Sequence, residues 1–269
     1  MFIPSNDPSL WISSVSVSIF LSTSLLAGSF IVSMEAPGVE STTSTGNFIV
    51  ENFDSVQAGY YTKLVRPIGT YNIDSSAYPG AGIPGVNPAD PGGFQVKSAD
   101  QYGGSGGQGN YVVNVRPLSN NGGIRLSFGS DQNYFGFYWS AGTPDTVIFS
   151  DKGTVVFSYA IQNVSGFINT LPNRSSYFGN PDQPFRGSDS PEPFAYLNFY
   201  APKNQPFDSV YFKGDLMETD NHTILAASSP SLSPSGTIVP TAVPEPPETA
   251  FITGALLGAI ALVRHRLKK

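Results

Sequence analysis

The chain has 269 residues and a formal net charge of −6, and it contains 28 Gly, 23 Pro, 19 Phe and 13 Tyr but no Cys. The acidic balance argues against nucleic-acid binding, which needs a basic face to neutralise phosphates, and the absence of Cys excludes thiol catalysis and Cys-ligated metal centres. Plentiful Gly, Pro and aromatic residues, with only 13% charged residues, favour an all-β domain of short strands.

The N-terminal segment, residues 1–36, is predicted to be a signal peptide. Apolar residues interleaved with serines run from Trp11 to Val32, as in the apolar region of an export signal, although no Lys or Arg precedes them. Small residues suited to cleavage occur at residues 27–29 and in the stretch that ends at Ala36. The alternatives are an uncleaved membrane anchor and a buried strand of the folded domain.

A polar spacer, residues 37–47, leads to the predicted folded domain, residues 48–227. Short runs of β-branched and aromatic residues, bounded by Gly, Pro, Asn or Asp, predict its strands. These runs are Phe48–Asp54, Tyr111–Val115, Ile124–Phe128, Tyr134–Trp139, Thr146–Phe149, Thr154–Tyr159, Phe194–Tyr200 and Phe207–Phe212. No segment of this domain has helical periodicity. The fold class is therefore predicted to be all-β, a jelly-roll-like β-sandwich.

Turns, alternation and loops give this domain further detail. Strict alternation in Ile124–Phe128 predicts one buried and one wet face, and Asp151-Lys152-Gly153 predicts a hairpin turn. Three long segments are predicted to be functional or mobile loops: residues 74–93, 101–109 and 170–193. The Gly-rich part of the second lacks the Lys of a phosphate-binding loop and is predicted to be flexible.

Candidate catalytic residues are sparse, and we expect that the chain is not an enzyme. His222 is the one histidine of the predicted domain and is expected in a surface turn. The sequence contains no Gly-x-Ser-x-Gly elbow and no His-x-x-x-His pair. A surface hydrolase that uses two of the acidic residues is the least favoured alternative.

Two sets of side chains are candidates for ligand binding. Hard oxygen ligands near predicted strand edges make Ca²⁺ the most plausible metal, with the weak candidates Asp54, Asp208, Glu218 and Asp220. No spacing among them matches a Ca²⁺ loop, and simple solvated acids are the alternative.

The aromatic run at residues 134–139 offers the second set. Period-two alternation places Phe135, Phe137 and Trp139 on one face, which predicts core packing. Tyr134 and Tyr138 fall on the other face and are expected to be partly exposed, with a sugar-stacking surface as the alternative.

The C-terminal part begins with a Ser/Pro-rich segment, residues 228–242, which is predicted to be an extended linker. The final segment, residues 243–269, combines Val243-Pro244-Glu245-Pro246, an uncharged run from Ala250 to Val263, and a basic end. A core helix needs a polar outer face, and this run is apolar all round, which predicts a transmembrane helix. Its basic residues would stay in the cytoplasm, and they are Arg264, Arg266, Lys268 and Lys269.

The order of tripeptide, apolar helix and basic end resembles the PEP-CTERM family of exosortase-sorted bacterial surface proteins. The resemblance implies export, transient anchoring in the membrane, and recognition near residues 243–246 by a membrane-embedded sorting peptidase. It also implies association with an extracellular polysaccharide matrix. The expected function is an exported cell-surface or matrix protein with a structural or adhesive role, and a surface-tethered carbohydrate-binding module is the main alternative.

Overall fold

The computed structural model describes residues 29–42, 47–73, 94–114, 123–141, 145–214, 216–226 and 233–241. They form two antiparallel β-sheets whose inner faces share one core. The first sheet, sheet A, has nine strands: β1 (Ile31–Met34), β2 (Phe48–Glu51), β3 (Gly59–Tyr61), β6 (Phe94–Ser98), β7 (Asn110–Asn114), β9 (Tyr134–Ala141), β12 (Ala195–Tyr200), β14 (Glu218–Leu225) and β15 (Thr237–Ile238). The second, sheet B, has six: β4 (Lys63–Arg66), β5 (Gly69–Ile73), β8 (Gly123–Gln132), β10 (Thr146–Asp151), β11 (Thr154–Ala160) and β13 (Phe207–Lys213).

The strand order shows that the sheets are built from non-local pairings. Sheet A runs β15-β1-β12-β9-β14-β7-β6-β3, and β2 also pairs with β14. Sheet B runs β11-β10-β13-β8-β5-β4. The prediction of an all-β sandwich is confirmed. The strands predicted from apolar and aromatic runs are all present, and β14, a central strand of sheet A with the polar sequence ETDNHTIL, is a strand that those runs did not indicate.

The core between the sheets is dominated by aromatic rings. Phe137 of β9 lies parallel to Phe199 of β12, with ring centroids 5.8 Å apart, and meets Phe212 of β13 edge-on at 5.3 Å. Phe149 of β10 lies 5.0 Å from Phe199. Because such offset and edge-to-face pairs add to the free energy gained from burial, these rings hold the two sheets together. The prediction that Phe135, Phe137 and Trp139 face the core is confirmed, since all three are fully buried.

The folded domain extends beyond both predicted boundaries. β1 falls inside the segment predicted to be a signal peptide, yet its Val32 and Met34 are fully buried, and it pairs with β12. This corrects the boundary at residue 36 and agrees with the buried-strand alternative for residues 31–34. Residues 1–28 of the predicted signal lie outside the described residues.

The predicted linker also contributes to the domain. β15 pairs with β1, and Val239 is buried. The Ser235 hydroxyl donates to Glu35 Oε1 at 2.6 Å, and the Ser33 hydroxyl donates to the Ser235 carbonyl at 2.5 Å. Residues 233–239 are therefore docked on sheet A and do not form a free linker, because the hydrogen-bonding groups of this short strand are matched by those of β1.

Two further expectations are corrected by local structure. A short helix, α1 (Gln162–Ile168), follows β11 and buries Val164 and Ile168, which are four residues apart. Because the helix has fewer than two turns, this single pair did not produce a recognisable helical periodicity in the sequence.

The segments 101–109 and 170–193 are packed against each other, since Gly106 N–H donates to Asp182 and the Asn180 amide donates to the Asp100 carbonyl. The loop 74–93 lies outside the described residues.

The predicted hairpin turn between β10 and β11 is confirmed. Lys152 and Gly153 both have positive φ, 47° and 82°. Positive φ at the two central residues is the requirement of a type I′ turn, whose twist matches that of the strands it joins. Gly153 takes this conformation without strain, and the turn places Lys152 at the end of sheet B.

Candidate functional site

The outer face of sheet B carries a surface of mixed polar and apolar residues, whose positions are set by strand register. Opposite residues of neighbouring strands point to the same face of a sheet. One such row lies in the core and is fully buried: Tyr71, Leu126, Val210 and Phe149. The two rows next to it therefore point outward. They are Thr70, Ser127, Ser209 and Ser150 in one, and Lys63, Asn72, Arg125, Tyr211 and Ile148 in the other.

A groove of about 780 Å³ lies on this surface, across β8, β13 and β10. We call it the sheet B groove. Its lining residues are Arg125, Ser127, Phe128, Ile148, Ser150, Lys152, Gly153, Val155, Asp208, Ser209, Tyr211 and Lys213. Three of these are cationic and one, Asp208, is anionic. The groove is therefore basic on a chain whose net charge is −6.

Arg125 forms the floor of the groove together with Tyr211. The guanidinium carbon lies 4.9 Å from the centre of the Tyr211 ring, which is a cation–π arrangement. Tyr211 is only 6% exposed, so the ring itself is not available to a ligand. This contact restrains the guanidinium beside the ring, and its planar set of donors matches a planar acceptor such as a carboxylate.

Asp208 is held at one end of the groove by local donors. One of its carboxylate oxygens accepts the Lys152 backbone N–H at 2.9 Å, and the other accepts the Ser209 hydroxyl at 3.0 Å. The Lys152 ammonium is 77% exposed and lies 3.5 Å from Asp151. Because Asp208 uses its oxygens to fix the hairpin turn, the cation at this end remains directed to solvent.

Lys213 and Arg125 contribute the positive charge that is not matched locally. Among the described residues, neither side chain is in an ion pair with a carboxylate. Lys63 extends the same face beyond the groove, because it stands opposite Asn72, which stands opposite Arg125. This arrangement of cations and hydroxyl groups is suited to binding an anion that is rich in hydrogen-bonding groups.

The four predicted metal-ligand candidates do not form one cluster, although Asp54 and Asp220 are close enough for the charge of Asp54 to raise the pKa of Asp220. Asp208 lies in the sheet B groove, whereas Glu218 and Asp220 are on β14 of sheet A, and Asp54 accepts the Asn110 backbone N–H at 3.0 Å. Within the described ranges, no group of three or more His, Asp or Glu residues is arranged to hold a metal ion.

Glu218 and Asp220 are buried under loops on the outer face of sheet A. Burial raises the pKa of Glu218 to about 8, and it accepts one long hydrogen bond, 3.5 Å, from the Tyr111 hydroxyl. Burial also raises the pKa of Asp220 well above its usual range, although Asp220 accepts the backbone N–H groups of Ser105 and Asn221. Asp220 fixes the loop 101–109 to the sheet through Ser105, whereas Glu218 contacts Tyr111 of β7.

The position of His222 differs most from the sequence-based expectation. It was predicted in a surface turn, yet it is 1% exposed and lies in the aromatic core, 5.0 Å from Phe212 and 5.2 Å from Phe53. Its two ring nitrogens are paired with the Tyr71 hydroxyl and the Thr219 hydroxyl, each at 2.9 Å. Burial lowers the pKa of His222 to about 3, so the ring is neutral and structural.

Tyr134 and Tyr138 are also buried, which corrects the expectation that they are partly exposed. Tyr134 donates to Asn198 at 2.7 Å, and Tyr138 packs with Phe194 and Tyr196. The loop 101–109 reaches this face, because Ser105 binds Asp220 and Asp220 stands opposite Tyr138. These tyrosines therefore offer no sugar-stacking surface.

The residues of the sheet B groove were not identified from the sequence. The signal was present in the strict alternation of Ile124–Phe128, which places Arg125 and Ser127 on the wet face. The predicted sorting motif, Val243 to Pro246, and the basic residues Arg264, Arg266, Lys268 and Lys269 lie outside the described residues. Within the part of the chain that the structure covers, no helix has the length and apolarity needed to cross a bilayer.

Comparison with known proteins places the chain in no family. No protein-family model matches it, and no curated protein matches it. Among solved structures, the chain is similar to the K2 cleaved adhesin domain of Lys-gingipain, with a TM-score of 0.40 and 14% sequence identity over 67% of this chain and 98% of that domain.

Proposed function

We propose that this chain is an exported bacterial protein of the cell surface or extracellular matrix, with an adhesive role and no enzymatic activity. The sheet B groove is the single observation that carries the adhesive role. It is an open, basic, hydroxyl-lined surface on an acidic domain. Its one carboxylate, Asp208, accepts hydrogen bonds from the hairpin turn and from Ser209. Because that carboxylate has a structural role, the groove is suited to binding a ligand.

The proposed route to the surface depends on the two ends of the chain. The apolar segment before residue 29 has the pattern of an export signal, and residues 243–269 have the pattern of an exosortase-processed tail. Of the two candidate cleavage sites, the one at residues 27–29 leaves β1 in the mature chain. Cleavage after Ala36 would remove Val32 and Met34, which are buried in the core.

The test is the location and mass of the mature protein in a bacterial host that carries the sorting peptidase. We expect an impermeant biotin reagent to label the domain on intact cells. We also expect a mature mass that lacks the residues before about position 28 and the residues after the Pro244-Glu245-Pro246 motif. A variant with Pro244→Ala and Glu245→Ala is the control, and it should keep the C-terminal tail.

Recovery of the unprocessed chain from the soluble cytosolic fraction, with no labelling on intact cells, would contradict the proposal. Such a result would leave the groove and its chemistry unchanged, because they belong to the folded domain and not to the sorting signals.

A further inference from the structure

We infer that the sheet B groove binds an anionic polysaccharide, a sugar chain that carries carboxylate groups such as those of uronic acids. This inference deepens the proposed adhesive function and rests on it. It assigns the ligand class to named residues: Arg125 and Lys213 bind the acid groups, and the partly exposed Ser127 binds a sugar hydroxyl.

The charge of the ligand follows from the cations of the groove. Three cations, Arg125, Lys152 and Lys213, and one carboxylate line the groove, and Arg125 and Lys213 have no carboxylate partner among the described residues. The Arg125 guanidinium carbon lies 4.9 Å from the centre of the Tyr211 ring, which restrains the guanidinium. A planar fork held in this way binds a carboxylate through two parallel hydrogen bonds, which is a geometry that neutral sugars do not satisfy.

The sugar character of the ligand follows from the row of hydroxyl groups. Ser127, Ser209 and Ser150 stand opposite one another on β8, β13 and β10, and Thr70 of β5 continues the row. Ser209 and Ser150 are buried, so the accessible hydroxyls of this row are those of Ser127 and Thr70, on neighbouring strands about 4.8 Å apart. A hydroxyl both donates and accepts, which matches the hydroxyl groups of a sugar chain.

Other macromolecules fit the groove less well. Single-stranded nucleic acid requires aromatic rings on which bases stack, and the one aromatic ring under the cations, Tyr211, is 6% exposed and covered by Arg125. Duplex DNA has a much higher density of negative charge than a polyuronate and would be repelled by the acidic remainder of the chain. An acidic sugar chain needs only the local cations.

The experiment measures binding of the full chain, purified in detergent, to polygalacturonate oligomers. Uncharged dextran and a DNA duplex serve as comparison ligands. We expect binding to polygalacturonate that is weakened by added salt, with no measurable binding to dextran. Arg125→Ala and Lys213→Ala are each expected to weaken binding by about tenfold, the loss of one charge-assisted contact.

Matched controls separate the groove from general electrostatics. Arg174→Ala and Lys203→Ala remove one exposed cation each from outside the groove and should leave the affinity within about twofold, because they remove charge without removing a contact. Arg125→Lys keeps the charge and loses the planar fork, and we expect an intermediate loss. Since Lys213 makes no described side-chain ion pair, Lys213→Gln tests the same contact with little risk to folding.

Three results would overturn the inference. An affinity for dextran equal to that for polygalacturonate would show that the groove does not select an anionic ligand. Equal losses in the control variants would show diffuse charge attraction, and tighter binding of DNA would assign a different macromolecule. All three concern the purified chain, so they are distinguishable from a failure of the proposed surface location, which is measured on cells.

Discussion

The outer faces of the two sheets differ in what covers them. On sheet A, Tyr134, Tyr138 and Tyr196 point away from the core, yet none is more than 1% exposed, because the loops 101–109 and 170–193 and the segment 233–239 lie over that face. On sheet B, no loop of the described residues is bonded across the outward rows in this way, and they include the partly exposed Arg125 and Ser127. Sheet A therefore has two buried faces, and sheet B has one.

The difference between the two sheets is also visible in the sequences of their strands. β9 and β12 read YFGFYWSA and AYLNFY, nearly continuous apolar runs, as expected for strands that are buried on both faces. The start of β8 reads GIRLSF and alternates, as expected for a strand with one wet face. A continuous aromatic run therefore indicates a covered face, and strict alternation indicates the face that is open to a ligand.

Truncation of a tyrosine on the covered face is expected to be the most damaging change. Tyr138→Ala should lower the free energy of unfolding by about 3–5 kcal/mol, because it leaves a large cavity under the loops. Ser127→Ala, on the open face, should change it by less than about 0.5 kcal/mol. Urea denaturation of the two variants and the parent measures both.

The hydroxyl of Tyr138 sharpens this comparison. It is buried without a hydrogen-bond partner, so Tyr138→Phe should be neutral or stabilising by about 1 kcal/mol. If Tyr138→Phe lowered the free energy of unfolding by several kcal/mol, or if Tyr138→Ala did not lower it, this face would not be covered as described.

The covered face should also make stability depend on pH through Glu218. Its folded pKa, about 8, is above the ordinary value of 4.5, so the folded state holds a proton that the unfolded chain releases. The stabilising contribution is complete below pH 4.5 and is lost as the pH rises through about 8, by roughly 5 kcal/mol. Glu218→Gln, which cannot ionise, should lack this loss.

The measurement for Glu218 is the urea midpoint of the parent and of Glu218→Gln at several pH values from 5 to 9. The variant should be the more stable protein at pH 9, and the difference between the two should shrink towards pH 5. Parallel curves for the two proteins over the whole range would mean that Glu218 is ionised and solvated in the folded state.

The sequence allowed the sandwich class and the apolar strands to be predicted, because burial on both faces leaves long aromatic runs. It did not indicate β14, where Glu218, Asp220 and His222 are buried by partners distant in sequence. It also did not show that residues 31–34 and 237–238 pair with each other, since each strand lies in a segment with another expected role. The cations of the groove could not be placed on one face from the sequence, because that placement requires the register of five strands.

Lysine acylation of the full chain, with and without polygalacturonate, tests the central claim most directly, since it asks which face of the domain the ligand covers. We expect protection of Lys213 and Lys152, which line the sheet B groove, and unchanged reactivity of Lys203, which lies between β12 and β13. Protection of Lys203 without protection of Lys213, or equal reactivity of all three lysines at saturating ligand, would contradict the account.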